Sequence, residues 1–360
     1  MQPLISHTTG FLYKNVLKPI FFCFNPESVH NTLVFCGSRG SRWPIFRRVM
    51  ALSWAYAGKT SRRRIDGIKF PNPVGLSAGF DYNGELVDAL PAMGFGFHTI
   101  GTVTLESYAG NQPPRLVRLP RSRALIVNKG LKNVGAKRVI QNLEGATFSI
   151  PVGISIASTN RKYKTELEQI QDILGCFRLF EASSVRHSYY ELNISCPNTY
   201  GGEPFTTPEK LHTLLRHIDN LKLTRPVYAK MPIDQSEHET KKLLRVLNKH
   251  TVHGVIFGNL TKDKLNPDVS VEDVKIWKIH KGNVSGFPTR SRSNACIRLT
   301  KKEYGSRFTI IGTGGIFSGK DAQEKMEQGA DLVQLITGMI YEGPQLIGQI
   351  NQYLDYSKRR

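Results

Sequence analysis

From Ile65 onward the chain alternates short apolar runs with amphipathic stretches, and no other feature constrains the fold as tightly. Eight runs read as buried strands: Pro73–Ser77, Phe97–Thr104, Ile150–Ile156, Tyr189–Ile194, Val227–Met231, Gly254–Phe257, Phe308–Gly312 and Leu332–Ile336. Helical periodicity occupies intervening stretches such as Lys164–Leu179, Thr207–Leu223, Glu237–His250 and Gly319–Gln328. Eight near-regular strand–helix units predict a closed (β/α)8 TIM barrel over residues 61–360, with an open doubly wound sheet as the alternative.

Residues 1–60 have a different character and are expected to form a helical extension. Leu12, Tyr13, Val16, Leu17, Ile20 and Phe21 recur at helical spacing, with Lys14 and Lys18 between them. Asn25-Pro26-Glu27 reads as a helix start: a capping side chain, a proline in the first turn and an acid that complements the dipole. Val29, Leu33 and Val34 continue an apolar face, and an aromatic, basic stretch runs from Trp43 to Tyr56. Two readings fit: a plain cap on the barrel, or an amphipathic module that lies on a membrane and admits an apolar ligand. The apolar stretch Pro19–Phe24 is too short to span a bilayer, and no small-residue cleavage site follows it.

Against 49 basic residues stand 29 acidic ones, a net charge of +20. Such a surface suits nucleic acid, anionic lipid or an anionic substrate and leaves the fold open. The five cysteines (Cys23, Cys36, Cys176, Cys196 and Cys296) include no CxxC pair. Their odd number and wide spacing speak against a disulfide framework or a metal site and fit a reducing compartment. Most are expected to be small core hydrophobes.

Barrel enzymes work at the C-terminal ends of their strands. There the chain places Asn193 to Asn198, Lys230, Asn259, Gly314-Gly315 and Thr337-Gly338. Cys196 sits between two carboxamides where a strand gives way to a loop, and a thiolate with its pKa lowered by a positive field can take a proton from carbon. Asn193, Asn198 and Asn259 each donate and accept, matching the alternating edge of a pyrimidine-like ring. An inward Lys230 needs an anionic or electron-rich partner. The glycine pairs let backbone N–H groups approach a phosphate, with the helix starting near Gly319 expected to add its dipole.

These residues, with the stretches Pro73–Gly79, Ile100–Thr104, Gly110–Leu116, Gly130–Gly135, Asn193–Thr199, Val284–Gly286 and Gly312–Ile316, make the chain resemble the dihydroorotate dehydrogenases along almost its whole length. The Asn25–His30 stretch is similar to the opening of the membrane-associated, quinone-reducing class. The resemblance implies FMN held by Ala78, Gly79, Thr102, Asn193, Lys230, Ser285, Gly286, Gly314, Gly315, Thr337 and Gly338. It implies dihydroorotate, and its product orotate, held by Asn128, Gly130, Leu131, Asn193, Asn198 and Asn259. Arg115 matches an arginine near the quinone tunnel. The implied reaction, a step of pyrimidine synthesis, has Cys196 take the C5 proton while C6 passes hydride to FMN N5; a quinone then receives the electrons.

Four departures from the family pattern stand out. The quinone class uses a serine as base, whereas Cys196 is typical of the soluble class. Tyr82 stands where a substrate-binding lysine is usual, and Asn128 lies one residue too close to Gly130, leaving Val127 in the asparagine column. Ser155 and Leu260 replace an amide and a small hydroxyl residue. Lys129 is expected to supply the missing cation for the substrate carboxylate. Fumarate or NAD as acceptor, a tRNA-dihydrouridine synthase and a non-catalytic binding barrel are the rival readings. The expected location is peripheral, on the cytoplasmic side of the cell membrane, or otherwise cytoplasmic. Nucleic acid is not an expected partner, and a homo-oligomer is left open.

Overall fold

A computed structural model describes residues 2–58 and 61–357. All eight expected strands are present, two with the expected ends and six with ends displaced by one or two residues: β3 Val74–Leu76, β4 Phe97–Val103, β7 Val152–Ile156, β8 Tyr189–Asn193, β9 Val227–Met231, β10 Gly254–Phe257, β12 Thr309–Thr313 and β13 Leu332–Leu335. They pair in parallel and in that order, and β13 closes on β3. This is the TIM barrel, and the open-sheet alternative falls away.

Between and after the strands lie α5 (Ala89–Ala92), α6 (Ala136–Leu143), α7 (Glu166–Glu181), α8 (Pro208–Asp219), α9 (Glu237–Leu247), α10 (Val271–Ile279), α11 (Arg290–Tyr304), α12 (Gly319–Glu327), α13 (Thr337–Glu342) and α14 (Leu346–Ser357). Their starts follow local chemistry. Ser236 and Glu239 form a reciprocal capping box at α9, and Thr165 caps α7 by accepting from the Glu168 N–H.

Two small sheets escaped the sequence reading. β1 (Arg63–Ile65) and β2 (Ile68–Phe70) form a hairpin around Asp66-Gly67, both with positive φ. It plugs the N-terminal end of the barrel: Phe70 packs edge-on against Phe97, and Asp66 accepts from Tyr228 Oη (2.9 Å) and Thr309 Oγ1 (2.7 Å). In the layer above, Phe97 and Tyr189 fill the interior because Gly75 and Gly153 face them, where any Cβ would collide with the rings. The second sheet runs β5 (Leu116–Leu119), β6 (Ala124–Val127) and β11 (Asn283–Gly286), all antiparallel.

The N-terminal segment is helical, as expected: α1 (Gln2–Leu12), a π-helical turn (Tyr13–Leu17), α2 (Lys18–Cys23), α3 (Pro26–Gly40) and α4 (Pro44–Trp54). Asn25 caps α3, its Oδ1 accepting from the Glu27 and Ser28 N–H groups. Anchors to the barrel are both polar and apolar. Tyr13 Oη donates to Ile340 O (2.7 Å), and Arg118 donates to Phe24 O (2.7 Å). Phe22 packs edge-on against Tyr341, and Val34 and Met50 join a core cluster with Leu76 and Leu86. Much of the apolar surface stays outside, with Ile45 79%, Trp43 70% and Phe11 69% exposed. Among the described residues no helix is long and apolar enough to cross a membrane. The expected boundary at residue 60 falls on two residues, 59 and 60, outside those described.

Candidate active site

One cavity of about 500 Å³ runs from the N-terminal helices to the mouth of the barrel. Its outer part is apolar, with Phe21, Phe22, Leu33 and Met50 among its walls; its inner part holds the polar strand ends. Cys196 and all eleven expected cofactor residues line it: Ala78, Gly79, Thr102, Asn193, Lys230, Ser285, Gly286, Gly314, Gly315, Thr337 and Gly338. Lys129, Gly130, Leu131, Asn198 and Asn259 join them, as do Tyr82, Val127 and Leu260.

Two expected residues lie elsewhere. Asn128 faces an outer pocket beside Lys264, Lys278 and Lys281, and its Oδ1 accepts from Asn111 Nδ2 (2.9 Å). Adjacent residues on a strand point to opposite sides, so Val127 takes the inward place and turns Asn128 out. Arg115 is also absent from the cavity wall; it donates to Asn111 O (2.5 Å) and pairs with Glu27 (3.2 Å). The arginine on the wall is Arg118.

Lys230 is buried and donates to Ser77 Oγ (3.3 Å), a neutral partner that leaves its charge uncompensated by direct contact. Burial lowers its pKa, and the carboxylate of Glu191 opposes that shift. Glu191 lies deeper in the barrel, fully buried, accepting from Thr99 Oγ1 (2.5 Å) and Gln334 Nε2 (2.7 Å). Sequence reasoning gave Glu191 no role; the only signal was a carboxylate inside an otherwise apolar strand.

The carboxamides are tied into the protein rather than left free. Asn193 Nδ2 donates to Thr102 Oγ1 (2.9 Å), which is also bonded to Ser155 Oγ (2.9 Å). Asn259 Nδ2 donates to Ser195 O (2.8 Å) and Ser195 Oγ (2.9 Å). Asn198 spends both ends of its amide, donating to Val127 O and accepting from Asn283 Nδ2 (both 2.8 Å). Asn111, missed in the sequence reading, is a hub: it donates to Asn128 Oδ1 and Asn198 O, and accepts from Tyr108 Oη (2.7 Å). These bonds fix the loop that carries Cys196.

The thiol of Cys196 differs from expectation. Burial pushes it up to about 11, against the opposing pull of the Asn198 N–H and the Lys230 charge. The positive field exists, but desolvation outweighs it. Of the remaining cysteines, Cys176 and Cys296 are core residues as expected, whereas Cys23 and Cys36 are exposed on the N-terminal helices. No group of metal ligands occurs among the described residues.

The inner cavity suits a phosphorylated flat heterocycle. Gly314 and Gly315 have φ of +89° and +70°, and a Cβ on Gly314 would collide with Thr289 Oγ1. Ser285 Oγ and Thr337 Oγ1 stand 3.0 Å apart beside this cradle. The expected help from the helix at Gly319 is not found. Asp321 accepts from the Phe317 N–H and Ser318 Oγ (both 2.9 Å), so the start of α12 is already occupied by the protein's own carboxylate.

The model of the dihydroorotate dehydrogenase family matches residues 61–357. A protein of Chromobacterium violaceum named dihydroorotate dehydrogenase (quinone) is 35% identical, covering 93% of this chain and 95% of its own. One of the same name from Herminiimonas arsenicoxydans is 36% identical, covering 94% and 96%. Among solved structures, dihydroorotate dehydrogenase of Eimeria tenella in complex with ferulenol superposes with a TM-score of 0.79 at 24% identity, over 93% of this chain and 92% of its own. With a family model spanning the whole barrel and relatives of this identity along nearly the full chain, the protein belongs to the dihydroorotate dehydrogenase family.

Proposed function

We propose that this protein oxidises (S)-dihydroorotate to orotate in pyrimidine biosynthesis, with FMN as bound cofactor and a quinone as final acceptor. One observation carries the reading. A single cavity joins a thiol, a buried lysine and a glycine cradle at the barrel mouth to an apolar passage through the N-terminal helices. The quinone-class names of its relatives support the acceptor.

Bound FMN would supply the acceptor for the hydride leaving C6 of the substrate and a carrier for its electrons. Cys196, as thiolate, takes the C5 proton. Asn193 and Asn259 line the cavity beside Cys196, anchored on Thr102 and Ser195, and Asn198 holds the Cys196 loop against β6 and β11. Lys230 offers a positive charge at the base of the cavity, where developing negative charge is stabilised most effectively in a dry setting. Lys129 lies over the Tyr82 ring at 5.2 Å and supplies the cation for the substrate carboxylate that Tyr82 cannot. Residues 1–60 act as the membrane- and quinone-facing module, placing the protein peripherally on an anionic membrane.

Parallel steady-state assays with dihydroorotate against a quinone, fumarate and NAD test this. Reduction of the quinone alone is the expected result. Turnover with fumarate or NAD and none with quinone would overturn the acceptor, and no oxidation with any of them would overturn the activity.

A further inference from the structure

Glu27 belongs to the first turn of α3, yet its carboxylate meets the barrel's own loops. Its Oε1 accepts from Lys129 Nζ (2.9 Å) and Lys132 Nζ (3.2 Å), and its Oε2 accepts from Arg115 Nη1 (3.2 Å). Asn25 and Pro26 fix the start of the helix, so the position of this carboxylate is set by backbone geometry. One carboxylate thus serves three cations, and among the described residues no other acid pairs with them.

The heart of the cluster is shielded from water, with the side chains of Lys129 and Glu27 7% and 13% exposed, while Lys132 at its rim is 31% exposed. Lys129 is pushed toward its neutral form by burial and by Lys132 and Arg115, while Glu27 pulls the other way. The site is under-neutralised, which favours a second carboxylate. Lys129 and Lys132 line the same cavity as Cys196 and Asn193, so an incoming anion reaches them directly. A docking ion pair alone would need one cation and no access to the cavity.

We propose that Glu27 competes with the substrate's carboxylate for Lys129, and so couples the seating of the N-terminal helices to substrate binding. The proposal rests on reading the cavity as a dihydroorotate site. Linkage makes the coupling reciprocal: a ligand that loosens Glu27 from Lys129 binds more tightly, by the same factor, once Glu27 has let go.

Orotate and uracil, the same ring without the carboxylate, separate the outcomes. Their affinities for the flavin-loaded protein are measured by titration for the wild type, Glu27→Gln, Glu27→Asp and Lys129→Met. Glu27→Gln should bind orotate about tenfold more tightly, the effect of removing one charged competitor, with uracil unchanged. Lys129→Met should lose about tenfold for orotate only. Glu27→Asp keeps the charge and guards against misfolding; it should fall between wild type and Glu27→Gln. Orotate, but not uracil, should also speed proteolytic release of the N-terminal helices. Unchanged orotate affinity in both Glu27 variants, or parallel shifts for the two ligands, would overturn the proposal alone. A folded, flavin-loaded wild type that binds no orotate would overturn the dihydroorotate reading with it.

Discussion

Lys230 on β9 and Ser77 at the end of β3 meet across the full width of the barrel, Nζ to Oγ, at 3.3 Å. Four strand steps separate them in either direction around the closed sheet, so this contact marks the floor of the cavity. A cation held there by a hydroxyl alone faces whatever occupies the space above it.

Lys230→Gln should therefore yield protein that retains flavin poorly. Loss of a buried charge-assisted contact costs about 1.5–3 kcal/mol, roughly tenfold to a hundredfold in affinity. Flavin absorbance per mole of purified protein checks it; a full complement in the variant would remove Lys230 from the cofactor site.

With its thiol raised to about 11, Cys196 is overwhelmingly protonated at neutral pH. The thiolate fraction, and with it kcat/KM for dihydroorotate, should climb about tenfold per pH unit toward that value. Cys196→Ala should lose about 10²- to 10⁴-fold in turnover and flatten the profile. An equally steep profile in Cys196→Ala would assign the slope to another group.

Gly314→Ala places a Cβ against Thr289 Oγ1 at a φ of +89°. Strain of about 1–3 kcal/mol should lower the melting temperature, and added FMN should restore less of it than in the wild type. A thermal scan with and without FMN decides; equal rescue would mean that Gly314 serves the turn and not the phosphate.

Burial alone would raise the pKa of Glu27, but Lys129, Lys132 and Arg115 bring it down to about 2 from 4.5. A folded pKa below the unfolded one gives stability that is complete above about 4.5 and is lost as pH falls toward 2. Proteolytic release of the N-terminal helices should accelerate through that window, and Glu27→Gln should remove the acceleration.

Exposed Trp43, Ile45 and Phe11, on a chain of charge +20, predict binding to anionic vesicles that weakens but persists in high salt. Ile45→Asp should reduce co-sedimentation several-fold, since it removes apolar area and adds a like charge to the lipid. Equal binding to neutral and anionic vesicles would deny the charge a role.

What could be read from sequence follows from burial. The eight barrel strands are covered on both faces, so each appears as a mostly apolar run even where it carries Glu191 or Lys230, and Tyr189–Asn193 and Val227–Met231 are found within a residue of their ends. β5 and β11 have no such signature, being only partly buried with Arg118 or Asn283 and Ser285 in the run, and the apolar, buried β6 falls outside the strand–helix alternation that marks the barrel. The list of cavity residues was legible because strand ends converge in a closed barrel. The direction of single side chains was not, so Asn128 and Arg115 were placed inside although a one-residue difference in pleat turns Asn128 out. Glu27 shows a further limit. Its three partners lie 88 to 105 positions away, and no local pattern in Asn25–His30 points to them. The same holds for the Cys196 thiol, whose shift depends on how dry the folded cavity is.

Seated on the barrel by Val34, Met50 and Phe22 and by the pegs of Tyr13 on Ile340 and Arg118 on Phe24, the N-terminal helices still leave a greasy side, with Phe11, Trp43 and Ile45, facing outward. In plain buffer such a molecule carries its own adhesive: two copies meeting helix to helix hide that surface from water. Detergent or lipid should hold the purified protein monodisperse, and dilution out of either should drive it into clusters through this end while the barrel stays folded.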